Sequence, residues 1–106
     1  MKNKLLKIIN YYGLENQLRN FSQENFELIE IILACNYDSE SKYCSNYDEY
    51  LSEEIADNLI LLSQFIMYYD LDFEKITDIY KEKINKQIKQ INNNKNRRNK
   101  NDSNRR

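Results

Sequence analysis

Two pairs of acidic side chains interrupt apolar helical runs in this 106-residue chain. Glu54 and Asp57 lie in LSEEIADNLILLSQF at 51–65, and Glu24 and Glu27 lie in FSQENFELIEIIL at 21–33. Residues three apart on a helix share a face, with Cβ atoms roughly 5–6 Å apart, so each pair presents two carboxylates side by side. Acidic residues at this spacing are common on solvated faces, but these pairs border apolar stripes: Phe21 and Leu28 flank the first, and Leu51, Ile55 and Leu59 the second. If the two helices pack antiparallel, the four carboxylates share one pocket. Two unit charges about 5.5 Å apart repel by roughly 3 kcal/mol at an effective dielectric of about 20, which is severe for a small domain stabilised by about 5 kcal/mol. A cation must offset them. Oxygen ligands in a chain without His suit Mg²⁺ or Mn²⁺ rather than zinc. Mg²⁺ also accepts phosphate oxygens as ligands, and the chemistry this predicts is attack of water on a di- or triphosphate.

The elements that must position these pairs are helices. The chain has no Pro and only one Gly, so it lacks the residues for tight hairpins and phosphate-cradling glycine loops. Leu5, Ile8, Ile9 and Tyr12 recur at helical spacing and predict a first helix over about 2–12, stopped by Gly13 in a left-handed conformation. Leu14, Leu18, Phe21, Leu28 and Ile32 predict a second over 15–34. The segment NYDSESKYCSN at 36–46 is rich in Asn, Asp and Ser and reads as a loop. Ser45 with Asp48, or Asn46 with Glu49, can cap a third helix over 47–69, whose stripe is Leu51, Ile55, Leu59, Leu62 and Ile66. Asp72 is the expected N-cap of a fourth helix over 73–91, built on Phe73, Ile76, Tyr80, Ile84, Ile88 and Ile91. The fold class is therefore all-α.

The formal net charge of −1 hides an asymmetry. Residues 1–91 carry ten Lys/Arg against sixteen Asp/Glu, and residues 92–106 carry six against one. The latter segment, NNNKNRRNKNDSNRR, has no apolar residue to offset ordering and reads as a disordered basic tail, leaving 1–91 as the helical domain. The tail can reach nucleic-acid phosphates, although no aromatic residue interleaves to provide stacking. Tyr12, Tyr69 and Tyr80 are expected at the core edge, while Tyr37, Tyr43, Tyr47 and Tyr50 gather around the loop, where they can stack on a base. Cys35 and Cys44 match no metal or redox spacing and are expected as reduced thiols in a cytoplasmic protein. No apolar run is long enough for a signal peptide or a membrane span. So small a core favours self-association as a homodimer or homotetramer.

QENFEL at 23–28 and EEIADNLILL at 53–62 resemble the MazG-like all-α nucleoside triphosphate pyrophosphohydrolases, whose signature is E-E-x-x-E followed after a gap by E-x-x-D. YGLENQL at 12–18 and YKEKINKQIKQI at 80–91 look like that family's first turn and last helix, so the likeness spans about residues 5–91. The resemblance implies a four-helix MazG-like fold in which Glu24, Glu27, Glu54 and Asp57 hold Mg²⁺ and Glu24 or Glu27 orients the attacking water. It implies cleavage of a nucleoside triphosphate between the α- and β-phosphates, with Lys83 and Lys86 on phosphate and neighbouring subunits helping to form the pocket. Two positions depart from the pattern: Gln23 stands where the family usually has its first Glu, and Gln90 where it often has a basic residue. These departures keep open a non-catalytic module that binds nucleotide or protein and touches nucleic acid with its tail.

Overall fold

The helical periodicity becomes four α-helices in the computed structural model, which describes residues 1–104, with side chains described for residues 1–99. They are α1 (Lys2–Tyr12), α2 (Leu14–Tyr37), α3 (Tyr47–Tyr68) and α4 (Phe73–Asn104), with a 3-10 turn at Cys44–Asn46 leading into α3. The described residues contain no strand, as the all-α reading expects. Compact packing divides the chain into Met1–Leu71 and Asp72–Arg106, so the division falls within the DLD segment rather than after Ile91.

In the first unit, Gly13 alone joins α1 to α2. Its φ of 88° and ψ of 149° differ from the expected left-handed cap by a more extended ψ, and lie near a region essentially reserved for glycine. Its N–H donates to the Ile9 carbonyl at 2.8 Å, and its carbonyl accepts from the Gln17 N–H at 3.1 Å. One residue therefore ends one helix and starts the next. Asn46 precedes α3 without a side-chain-to-backbone cap; its amide donates instead to Glu49 Oε2 at 3.1 Å. At the far end of α3, Asp70 takes φ 50°, while Leu71 N–H donates to Ile66 and Asp70 N–H to Met67. That pair of bonds is a Schellman stop.

α2 and α3 pack antiparallel, and α1 lies against both. Ile9, Ile31 and Leu61 are buried, and Phe21 meets Phe65 edge-on with centroids 5.5 Å apart. The rest of the seam departs from expectation. Glu54, Asn58 and Gln64 of α3 and Gln17 of α2 are buried, whereas Ile55, Leu59 and Leu62 of the expected stripe are 46%, 56% and 44% exposed, and Leu18 and Ile32 are exposed as well. The cause is the apolar run at 59–62, which covers every side of α3 so that periodicity leaves its rotation open. Tyr12 and Tyr69 are likewise exposed rather than at the core edge, each edge-on to its neighbour, Tyr11 or Tyr68.

In the second unit Asp72 caps α4 as expected, its Oδ1 accepting the Glu74 N–H at 3.0 Å. Phe73, Tyr80, Ile84, Ile88 and Ile91 are exposed. The helix continues past Ile91 to Asn104, so residues 92–104 are helical where a disordered tail is expected; residues 105–106 of that tail lie outside the described residues. No Gly or Pro interrupts this stretch, and Lys and Arg are good helix formers that extend an existing helix at small cost.

Candidate metal centre

The antiparallel seam is built in polar layers. At one end Gln17 Nε2 donates to Gln64 Oε1 at 2.7 Å, and Asn20 Nδ2 donates to Gln17 Oε1 at 2.7 Å. Further along, Asn58 Nδ2 donates to the Glu54 carbonyl at 2.9 Å within α3 and to the Glu24 carbonyl at 3.2 Å across the seam. This bond sets the α2 turn that carries Glu24 against the α3 turn that carries Glu54. Glu24, Glu27 and Glu54 then each offer a carboxylate oxygen, and these oxygens all lie within 4.8 Å of one another.

Acids this close would ordinarily be paired with Lys or Arg. Here Glu24 Oε2, Glu54 Oε1 and Asn58 Oδ1 are buried acceptors without a hydrogen-bond donor. Burial foremost, and then Glu24, Glu27 and Asp57, push the Glu54 carboxyl up to about 8. Glu27 is also raised, chiefly by the charge of Glu24 and then by burial. Acceptor oxygens that lack donors and repel one another fit a bound cation, and an all-oxygen set fits a hard one such as Mg²⁺ or Mn²⁺.

Of the four ligands read from the sequence, three form this tight group. Asp57 stands one turn further along α3, on the rim, exposed, and lines the clefts on both sides of the group. One cleft, of about 290 Å³, is also lined by Glu27, Glu54, Lys42, Tyr43 and Tyr50. The other, of about 350 Å³, takes in Glu24, Gln17, Asn20 and Gln64. Gln23 is exposed on α2.

No family model, curated protein or solved structure matches this chain. The likeness to the pyrophosphohydrolases therefore rests on the sequence segments at 12–18, 23–28, 53–62 and 80–91 alone.

Lys83 and Lys86 lie exposed on α4. Lys42, a loop residue with no helical pattern to mark it, lines the acidic cleft, with its ammonium 5.1 Å from the centre of the Tyr43 ring. Tyr43 packs edge-on against Tyr50 at 4.9 Å. Tyr43 and Tyr50 thus reach the cleft, and Tyr37 and Tyr47 are exposed. Asn58, Gln17 and Gln64 went unmarked in the sequence because amides have no periodic signature.

Proposed function

We propose that this chain is a Mg²⁺-dependent nucleoside triphosphate pyrophosphohydrolase, acting in the cytoplasm as a homo-oligomer. The observation that carries the reading is the pair of buried, donor-less carboxylate oxygens, Glu24 Oε2 and Glu54 Oε1, in a three-glutamate group drawn from two helices. Glu24, Glu27 and Glu54 would hold the cation, with Asp57 at the rim. When bound, Mg²⁺ neutralises phosphate charge and makes water a better nucleophile. Glu27 is exposed at the cleft, where its carboxylate can orient the attacking water and take its proton. Water adds to the α-phosphorus, the bond to the bridging oxygen breaks, and nucleoside monophosphate and pyrophosphate leave. Lys42 in the cleft supplies positive charge for a phosphate.

The test is incubation with each NTP and dNTP plus Mg²⁺, assayed for monophosphate and pyrophosphate. Activity that disappears in Glu54→Gln and Glu27→Gln supports the reading, and Lys42→Ala should raise KM. Product formation equal in wild type and Glu54→Gln would sink it. The oligomer is supported by exposed apolar side chains on α2 and α3, among them Phe26, Ile29, Leu33, Ile55 and Leu59. Light scattering at micromolar concentration should give a dimer or tetramer mass; a monomer would refute that part. The same exposed residues favour a second reading, a non-catalytic module that binds another protein, which an inactive chain with no response to Mg²⁺ would support.

A further inference from the structure

We propose that Cys35 and Cys44 are an oxidation site: they close into a reversible intramolecular disulfide that pins the turn carrying Lys42 and Tyr43 to the end of α2. This goes beyond the proposed hydrolysis and does not depend on it.

Nine positions apart, the two cysteines match no redox motif, and only the fold brings them together. Cys35 sits near the end of α2, and Cys44 opens the 3-10 turn before α3. The Cys35 thiol donates to the Tyr43 carbonyl at 3.7 Å. The Cys44 thiol donates to the Asp38 carbonyl at 2.8 Å and approaches the Ala34 carbonyl at 3.4 Å. The Tyr43 carbonyl belongs to the peptide plane that ends at the Cys44 Cα, and the Ala34 carbonyl to the plane that ends at the Cys35 Cα. Each sulfur therefore lies against the peptide leading into the other cysteine. This reciprocity places the two side chains in one neighbourhood, the condition from which a disulfide of ordinary geometry can close.

Both thiols are free and partly exposed, and so within reach of a small reagent. Burial first, and then Cys44, raise the Cys35 thiol, which lowers its share of thiolate and leaves Cys44 to make the first attack. The oxidant is a low-molecular-weight disulfide such as oxidised glutathione. One cysteine thiolate attacks a reagent sulfur, forming a mixed disulfide and expelling the first glutathione thiolate. The second cysteine thiolate attacks the protein sulfur of that mixed disulfide and expels the other. The two protein thiols are oxidised by two electrons in all, and the reagent leaves as two thiols.

The structural consequence falls on the acidic cleft. Lys42 and Tyr43 line it and stand immediately before Cys44. Closing the loop 35–44 fixes the rim that carries the Lys42 charge.

The full chain, at micromolar concentration, is titrated with oxidised and reduced glutathione at fixed ratios. Closure predicts that both free thiols are lost together with a mass two hydrogens lower, while the chain stays uncrosslinked to others on a non-reducing gel. It also predicts a Tm rise of about 5–15 °C, reversed by dithiothreitol. Cys35→Ser and Cys44→Ser should each stop at the mixed disulfide and show no such rise. Retention of both thiols at every ratio, disulfide-linked dimers, or a stable mixed disulfide on the wild-type chain would overturn the proposal, and none of these readouts depends on a variant folding.

Discussion

Asn58 of α3 donates its side-chain amide to the backbone carbonyl of Glu24 of α2, 3.2 Å across the seam. A buried amide is thereby the crosspiece between the two helices that carry the acidic group. Its Oδ1, like Glu24 Oε2 and Glu54 Oε1, is a buried acceptor without a hydrogen-bond donor.

The pH dependence of stability follows from Glu54. Its folded pKa of about 8 lies above its ordinary value of 4.5, so the folded state binds a proton that the unfolded state releases. The share of stability that Glu54 contributes is full below about pH 4.5 and is lost as pH rises through 8, by an amount on the order of a few kcal/mol. Glu54→Gln, which cannot ionise, should flatten this part of the profile and melt higher than wild type at pH 8. Denaturant melts across pH 5–9 check it, and a wild-type stability that rises over that window would contradict the assignment.

A divalent cation should reverse the penalty. At neutral pH, Mg²⁺ or Mn²⁺ at a hundredfold excess over Kd should stabilise the fold by about 2.7 kcal/mol, and Glu54→Gln should lose most of the gain. Melts with NaCl matched for ionic strength separate binding from general screening. Equal shifts from the two salts would leave no specific site.

The amide layer makes a separate prediction. Gln17→Leu leaves the buried Gln64 without its partner and should cost about 1–3 kcal/mol, while Gln17→Leu with Gln64→Leu should cost less than the sum of the single changes. Strict additivity in a double-mutant cycle would show that the 2.7 Å bond contributes nothing.

Two backbone positions should respond in opposite directions. A Cβ at Gly13 would meet nothing within 4 Å, so the cost of Gly13→Ala is conformational, about 1–3 kcal/mol for a non-glycine residue at that φ. Asp70→Gly relieves a positive φ at the end of α3 and should stabilise by a few tenths to about 1 kcal/mol, less any contribution from the exposed contact between Asp70 and Lys2. Paired thermal melts decide both signs.

Helix positions were readable in the sequence because Gly13, the Asn- and Ser-rich loop and Asp72 are local signals. The spacing of Glu24 with Glu27 and of Glu54 with Asp57 was readable for the same reason, since i,i+3 geometry is local. The rotation of α3 was not, because Leu59, Ile60, Leu61 and Leu62 present hydrocarbon on every side and only packing against α1 and α2 selects one. Buried Gln17, Asn58 and Gln64 run against the usual surface preference of amides. Lys42 reaches the cleft only because the loop folds back, and α4 passes Ile91 because no residue there breaks it.

A seam that interleaves amides and acids with its hydrocarbon also checks its own alignment. Sliding α3 by one turn along α2 would part Phe21 from Phe65, and it would also separate Gln17 from Gln64 and Asn58 from the Glu24 carbonyl, at about 1–3 kcal/mol for each buried group left unpaired. The same slip would pull Glu54 away from Glu24 and Glu27. Helix register and the gathering of the three glutamates are therefore a single choice, and polar bonds take part in making it.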